Sequence, residues 1–306
     1  MSFTLTINDT ETKIFDKSIK IIDLISDIDK DFSYIAALVN GRIRELDYSV
    51  HYDATIKLLT LKDSLANGVY ERGIRYLFAM AVFNLYRDTQ FRLSYSISRS
   101  IFANKVSGSL RVTNDVVNKI ENEMKRLVSL NLPFNRIIIT NDEATKLFKE
   151  HNLDDKLATL KYRPEKTVHL YKVDNYFNYM YGKMVPSTGY LKDFKLRYYH
   201  PGILIQYPRS ETNGEIPPFI DEPMFQDTLE GANAWSSLVH LSTVADINDY
   251  SSNKQGTNLI NVCENKHNRM LVQIGDKIQK TFLTSDLFVL LVHHQAEKLL
   301  LLIVSL

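Results

Sequence analysis

Short segments of alternating apolar and polar residues dominate the start of the chain. Segments of this kind, bounded by turn residues such as Asn8-Asp9 and Asn40-Gly41, are typical of half-buried strands. One segment among them instead repeats apolar residues at helical spacing. The order strand, strand, helix, strand, strand predicts a β-grasp domain. The predicted elements are strands at 3–7 and 12–15, a helix at 19–28 and strands at 35–39 and 54–60 of a domain that spans residues 1–66.

Helical periodicity becomes more frequent after Gly68, although strand-like segments continue. Residues 116–130 have the strongest amphipathic pattern, with polar capping residues before them and Pro133 just beyond. Pro201-Gly202 predicts the turn of a hairpin. Residues 67–257 therefore predict a second domain, and the whole chain an α+β fold with a mainly antiparallel sheet. Further helices are expected at 74–86 and 144–150, and strands at 91–97, 134–139, 194–199 and 203–208.

Composition narrows the classes of protein only slightly. The 306 residues include 44% hydrophobic and 24% charged residues, which are ordinary globular values, and the formal net charge is +1. Any nucleic-acid binding must therefore come from a local patch. The single cysteine, Cys263, excludes an internal disulfide. No signal-peptide pattern opens the chain, and the apolar run 299–304 is shorter than the roughly 20 residues of a membrane span. These features predict a cytoplasmic protein without membrane association.

The most informative segment is 179–190, with the sequence YMYGKMVPSTGY. It resembles the segment of the threonyl-tRNA synthetase editing domain in which a Cys-x-x-x-His pair precedes a Pro-x-Thr-Gly turn. Met180 and Met184 occupy the two positions of that pair. The segment around Val39-Asn40-Gly41 similarly resembles the TGS domain, with another ubiquitin-like fold as the alternative. The resemblance implies a degenerate editing domain preceded by a TGS-like unit.

The same family carries a His-x-x-x-His pair in an earlier segment, and we map its two positions to Tyr95 and Arg99. Tyr and Arg are not ordinary zinc ligands, so neither a metal site nor a catalytic residue is expected. We expect the degenerate site to be a ligand cleft in which Arg99 and Lys183 hold an anion such as phosphate or an RNA backbone. Solvated surface cations are the alternative. The candidate cleft residues are Tyr95, Arg99, Met180, Lys183, Met184, Ser187 and Thr188.

The order of these segments, over about residues 1–290, resembles a bacterial class of uridine kinase-like nucleoside kinases. Members of that class continue into a P-loop kinase domain that uses ATP and Mg²⁺, whereas this sequence contains no GxxxxGK[ST] motif. Residues 258–306 are expected to be a helix and a tail leading into that missing domain. Codons can be chosen so that the DNA for 292–306 encodes a P-loop in the adjacent frame, which suggests a frameshift. A natural apolar terminal helix or strand is the alternative.

Three functions follow from these patterns. The leading hypothesis is an accessory or regulatory ligand-binding region of a nucleoside kinase, without ATP or Mg²⁺ of its own. An RNA- or tRNA-binding adaptor and a tRNA-editing hydrolase are the alternatives. The tyrosine-rich run between 171 and 190 predicts either a packed sheet face or a base-stacking platform. Cys263 and His267, four apart on a predicted helix, suggest either a metal pair or a buried cysteine beside a surface histidine.

Overall fold

The computed structural model describes residues 2–151 and 153–282, and the backbone of two short segments at 287–289 and 303–305. The chain divides into two compact units. The first contains the described residues up to 151 together with 164–232, and the second contains 153–163 and the described residues from 233 onwards. The sheets are mostly antiparallel and combine with helices, which agrees with the predicted α+β class.

A five-stranded sheet forms the N-terminal part of the first unit. Its strand order is β2-β1-β7-β4-β5, with β1 and β7 parallel and the other pairs antiparallel. A short helix covers the sheet, and its Ile21 and Ile25 are buried with Leu5, Ile35 and Ile56 in the core. The elements are β1 (Phe3–Ile7), β2 (Glu11–Phe15), β3 (Ile19–Lys20), α1 (Ile21–Ile25), β4 (Tyr34–Val39), β5 (Arg42–Arg44), β6 (Ser49–Val50) and β7 (Ala54–Thr60), with β3 paired to β6.

The helix α2 (Ser64–Leu85) begins ten residues before the predicted start at Ile74. The prediction opened a new segment at Gly68 and began the helix after Gly73, but both glycines lie inside the helix. A Cβ atom at Gly73 would lie 2.7 Å from a methyl carbon of Leu191, so this glycine permits close packing and does not form a turn. The buried face of α2 runs through Val69, Ile74, Leu77 and other apolar residues, and joins the main core.

A four-stranded antiparallel sheet packs one face against α2 and α3. Its order is β13-β14-β9-β8, so strands distant in sequence lie side by side. The outer face carries a smaller cluster around Ile97, Phe102 and Leu204. The elements are β8 (Gln90–Ile97), β9 (Ser100–Ser107), α3 (Asn114–Ser129), β13 (Lys195–Tyr199) and β14 (Gly202–Gln206).

A three-stranded antiparallel sheet and one helix complete the first unit. The helix is capped by Thr140, whose side chain exchanges hydrogen bonds with Glu143 in a capping box, so the helix begins at Asn141, three residues before the predicted start at 144. Val168, Leu170 and Phe177 are buried on the sheet, as are Ala144 and Phe148 on the helix. The elements are β10 (Asn135–Thr140), α4 (Asn141–Glu150), β11 (Thr167–Val173) and β12 (Tyr176–Asn178), and α6 (Pro223–Leu238) begins after them.

The second unit contains the helices α5 (Asp154–Leu160), α7 (Val244–Ser252) and α8 (Gly256–Phe282), and an antiparallel pair β15 (Leu287–Val289) and β16 (Ile303–Ser305). Lys161 binds Asp249 at 3.0 Å. None of the helices that the structure describes combines the length and apolar character needed to cross a membrane. The segment 292–306, on which the frameshift hypothesis rests, lies outside the described residues except for the backbone of β16.

Candidate functional site

The loop after β12 is fastened to the connection that follows α3. Pro133 and Ser187 form an isolated antiparallel bridge. The amide of Phe134 donates to the carbonyl of Pro186 at 2.9 Å, and the amide of Thr188 donates to the carbonyl of Leu132 at 2.9 Å. The loop 179–190 therefore has a fixed backbone and lies against the end of α3.

The Thr188 side chain is used inside the fold. Its hydroxyl donates to the Leu127 carbonyl at 2.7 Å and accepts from the Leu132 amide at 2.9 Å. Leu127 lies in the last turn of α3, where backbone carbonyls lack partners within the helix. Thr188 is fully buried, so its hydroxyl completes the helix end instead of facing a ligand.

Ser187 and Gly189 fit around Asn131 in the same way. The Ser187 hydroxyl donates to the Asn131 side-chain oxygen at 2.5 Å. A Cβ atom at Gly189 would lie 2.2 Å from that same oxygen, which leaves room only for glycine. Asn131 itself has a positive φ of 47° just beyond the end of α3. The Pro-x-Thr-Gly part of the loop therefore has a structural role, because it packs against the C-terminal end of α3 and forms hydrogen bonds there.

The two positions of the Cys-x-x-x-His pattern are apolar in chemistry and in environment. Met184 is 1% exposed in the main core, and Met180 is partly buried against the same core. A thioether is a weak hydrogen-bond acceptor and has no proton to exchange near neutral pH. Neither side chain could act as a general acid or base.

Arg72, which the sequence interpretation did not single out, lies against this loop. Its Nε donates to the Lys183 carbonyl at 2.8 Å. Gly182 has a φ of 98°, and a Cβ atom there would lie 3.1 Å from the Arg72 guanidinium carbon. The left-handed conformation of Gly182 therefore lets the guanidinium pack on the loop backbone.

Tyr76 lies one turn after Arg72 on α2 and contacts the strands that lead into the loop. Its hydroxyl is 2.9 Å from the Tyr171 carbonyl and 3.1 Å from the Tyr176 carbonyl. Residues four apart share one face of a helix. Arg72 and Tyr76 are therefore a pair with this spacing. Arg72 bonds to the loop, and Tyr76 bonds to the strands β11 and β12 before it.

Tyr95 and Arg99 lie at the hairpin of β8 and β9. The Tyr95 ring stacks on Phe102, with centroids 5.2 Å apart, in the outer cluster of the four-stranded sheet. Arg99 is exposed in the hairpin turn, and it adds a small effect to the backbone hydrogen bond and the nearby Arg209, which lower the pKa of Glu211. The contacts of the seven predicted cleft residues thus form two groups, one at this hairpin and one at the loop, and a single shared cleft stays a prediction.

A carboxylate from the N-terminal sheet is bonded to the loop. Glu45 follows β5, and its Oε1 accepts from the Tyr171 hydroxyl at 2.6 Å and from the Met184 amide at 2.8 Å. The two bonds join residues 126 and 139 positions apart in sequence. No local motif marks Glu45, so the sequence interpretation missed it.

Charged groups of both signs influence the residues that surround Glu45. Burial lowers the pKa of Arg72, and the neighbouring Glu71, Tyr171 and Glu45 oppose that effect. Burial also raises the pKa of Tyr171, and the hydrogen bond to Glu45 adds to the rise because an ionised phenol would face a carboxylate. Arg136 acts in the opposite direction on Tyr171.

Asp47 extends this set of charges. Its residue is exposed as a whole, yet partial burial of the carboxyl raises its pKa, and Glu45 raises it further. Lys20 and Lys183 lower it. The groups that act on Asp47, Arg72 and Tyr171 therefore include both cations and carboxylates, and one of these carboxylates, Glu71, also forms an ion pair with Arg75 at 2.7 Å. The cations of the set are Lys20, Arg72, Arg136 and Lys183, and the carboxylates are Glu45, Asp47 and Glu71.

Two tyrosines lie at the rim of the loop. The rings of Tyr179 and Tyr181 meet edge to face with centroids 4.4 Å apart, and Tyr181 is 74% exposed. An exposed aromatic ring beside cations is an arrangement on which a nucleobase can stack.

A separate groove lies where the N-terminal sheet meets the end of the loop. It has a volume of about 410 Å³ and includes Phe32, Tyr190 and Lys192 in its lining. Phe32 has a φ of 55°, and the centroid of its ring lies 4.6 Å from the centroid of the Tyr190 ring. The Lys192 ammonium lies 5.0 Å from the Phe32 ring centroid and donates to the Asp31 carbonyl. The lysine is thus held by the groove wall.

The Cys263–His267 pair lies on α8. Across the ranges described here, no group of three His, Cys, Asp or Glu side chains is arranged to hold a metal ion. Cys263 is partly buried and is not in a disulfide.

Known proteins similar to this chain include threonine–tRNA ligases. The ligase of Prochlorococcus marinus (strain MIT 9211) is 31% identical over 195 residues, which are 63% of this chain and 30% of the ligase. That of Bacillus velezensis (strain DSM 23117 / BGSC 10A6 / LMG 26770 / FZB42) is 30% identical over the same shares. That of Clostridium kluyveri (strain ATCC 8527 / DSM 555 / NBRC 12016 / NCIMB 10680 / K1) is 26% identical over 184 residues, 59% of this chain and 29% of the ligase.

The chain spans about 30% of the length of these relatives. No protein-family model matches it. The similarity supports the predicted threonyl-tRNA-synthetase-like part of the chain. It gives no support to the nucleoside kinase parent, which stays a prediction.

Proposed function

We propose that this chain is a tRNA-synthetase-related module that binds RNA, with tRNA as its natural ligand. It does not hydrolyse the ester bond between a tRNA and an attached amino acid. One observation carries the proposal: the loop that resembles the editing centre keeps its fixed backbone while Met180 and Met184 stand in the positions of the reactive pair. Hydrolysis of an ester needs a base or an activated water, and thioethers supply neither.

The surface beside the loop supports the RNA part of the proposal. Lys183 and Arg136 provide charge for phosphates, and Tyr181 offers an exposed ring on which a base can stack. The similarity to threonine–tRNA ligases makes tRNA the first RNA to test.

Binding is tested by fluorescence anisotropy of labelled tRNA at several salt concentrations. Tyr181→Ala should lower the affinity roughly tenfold, since stacking contributes about 1–3 kcal/mol per base. Lys183→Ala should lower both the affinity and the salt dependence. Phe225→Ala, an exposed aromatic on α6, and Lys13→Ala, an exposed cation on β2, are the matched controls. A tRNA affinity that is unchanged in both Tyr181→Ala and Lys183→Ala would refute the proposed surface.

Hydrolysis is tested separately on tRNA carrying a misattached amino acid. We expect the amino acid to be released at the uncatalysed rate. Release that depends on the protein, and that is lost on Arg72→Gln, would favour the editing hydrolase over the binding module.

The proposal also assigns a type of domain to the N-terminal part of the chain and a type of parent protein to the C-terminal part. We propose that residues 1–66 are a TGS-like domain, supported by the strand, strand, helix, strand, strand order and the Val39-Asn40-Gly41 turn. A nucleoside kinase parent is supported only by the order of the segments. ATP-dependent uridine phosphorylation, measured beside a version with the frame restored after Leu291, tests it: activity in neither form would remove that support.

A further inference from the structure

Glu45 makes contacts that an external anion could make. Its Oε1 receives one hydrogen bond from a buried phenol, Tyr171, and one from a backbone amide, that of Met184. Both donors belong to the second part of the unit, whereas Glu45 belongs to the N-terminal sheet. A buried phenol and an amide that converge on one oxygen form an oxyanion site.

We propose that Tyr171, the Met184 amide and the Arg72 guanidinium form a phosphate-binding site that Glu45 fills when no ligand is bound. The proposal concerns a small-anion site and stands independently of RNA binding. In this arrangement Glu45 is an internal competitor of the ligand.

The local charges favour a phosphate once Glu45 moves away. Asp47 would then remain beside Lys20 and Lys183, Glu71 is already ion-paired with Arg75 at 2.7 Å, and Arg72 would lose the attraction of Glu45. A phosphate carries between one and two negative charges near neutral pH and accepts hydrogen bonds on three or more oxygens. It would restore the balance of charge and use the Tyr171 and Met184 donors together with Arg72, whose Nε stays on the Lys183 carbonyl.

The backbone next to Glu45 is fixed, so only the side chain needs to move. Leu46 is fully buried, and its carbonyl accepts from the Ile22 amide at 2.6 Å. The Tyr48 amide donates to the Glu45 carbonyl at 3.1 Å. A rotation of the Glu45 side chain would open the site by breaking its two bonds to Tyr171 and Met184, while the backbone of the N-terminal sheet stays in place.

The test is calorimetric titration of the full chain with inorganic phosphate. Glu45→Ala should bind phosphate roughly tenfold more tightly than the natural chain, the factor by which an internal competitor that fills the site in about nine molecules of ten would lower the apparent affinity. Glu45→Gln keeps the shape and the acceptor oxygen without the charge, so its affinity should lie between the two. Glu11→Ala, which removes an exposed carboxylate on β2, is the matched control and should leave the affinity unchanged.

Tyr171→Phe in the Glu45→Ala background should weaken phosphate binding again, because one of the two donors is lost. Equal phosphate affinity in the natural chain, Glu45→Gln and Glu45→Ala would overturn the proposal, as would indifference to Tyr171→Phe. If Glu45→Ala does not fold, Glu45→Gln alone decides. Titration with acetate and with a nucleoside monophosphate identifies the source of the anion, and binding of acetate without phosphate also overturns it. Phosphate binding without tRNA binding would leave this site standing and refute the RNA-binding function.

Discussion

Replacing Thr188 by valine separates a structural role of this loop from a ligand-binding one. Valine has nearly the shape of threonine and removes only the hydroxyl. That hydroxyl joins the Leu127 carbonyl, 2.7 Å away, to the Leu132 amide, 2.9 Å away, in a fully buried position. No water can replace it without opening the contact between the loop and α3.

The magnitude follows from the two backbone groups left without a partner. Each unsatisfied buried group costs about 1–3 kcal/mol. The carbonyl has a second lone pair and tolerates the loss better than the amide. We therefore expect Thr188→Val to reduce the free energy of unfolding by about 2–4 kcal/mol. Thr188→Ser keeps the hydroxyl and loses one buried methyl group, which costs about 0.5–1.5 kcal/mol.

The assay combines urea unfolding followed by circular dichroism with hydrogen exchange of the peptide that contains Leu132. Thr188→Val should lower the midpoint more than Thr188→Ser does and should speed exchange at the Leu132 amide. A valine variant as stable as the serine variant would refute the assignment. Unchanged stability with weakened ligand binding would instead place Thr188 in a ligand cleft, as the sequence suggested.

Two further outcomes follow from the packing. Gly189→Ala should destabilise the fold and expose the α3 end to exchange, because its Cβ would lie 2.2 Å from the Asn131 side-chain oxygen; a thermal melt unchanged from the natural chain would contradict this. Raising the pH from 10 to 11 should cost about 1 kcal/mol for each of the four tyrosines whose pKa burial raises furthest, since the unfolded phenol, already half ionised at pH 10, loses its remaining proton while the folded one keeps it. Together these four residues total about 4 kcal/mol, so the absorbance of the buried phenols and the circular dichroism should change together, whereas ionisation of all the phenols at about pH 10 in an intact fold would refute it. These tyrosines are Tyr70, Tyr76, Tyr171 and Tyr207.

The fold class and most individual elements could be predicted because they depend on local pattern. The strand at 3–7 and the helix beginning after Thr113 follow from alternation, helical spacing and capping residues. The start of α2 could not, because Gly73 has the same local signature whether it breaks a helix or admits Leu191. That choice is made by tertiary packing, which no local window contains.

The loop of the candidate site could be predicted from the sequence, but the residues that surround it could not. Met180, Met184 and the Pro-Ser-Thr-Gly turn are contiguous, so their pattern is visible in the sequence. The partners that give the loop its charge come from far away: Arg72 lies 111 positions from Lys183, and Glu45 lies 126 positions from Tyr171. The predicted pair Tyr95 and Arg99 has the right spacing, but spacing alone does not tell which element meets the loop. In the structure Arg72 on α2 bonds to the loop at the Lys183 carbonyl, and Tyr76 bonds to the Tyr171 carbonyl on the strand β11 before the loop.

Methionines at the two reactive positions change what the surrounding groups must do. With Met184 buried, the site offers a backbone amide and a buried phenol, and the phenol hydroxyl also lies 3.4 Å from the Gly182 carbonyl of the loop. Donors of that kind are costly to leave unpaired in the interior. The Glu45 carboxylate satisfies both, and because Glu45 comes from the N-terminal sheet, the same two bonds tie that sheet to the loop. Any anion that takes the place of Glu45 must therefore also replace part of this connection, so ligand binding and the attachment of the N-terminal sheet are thermodynamically linked.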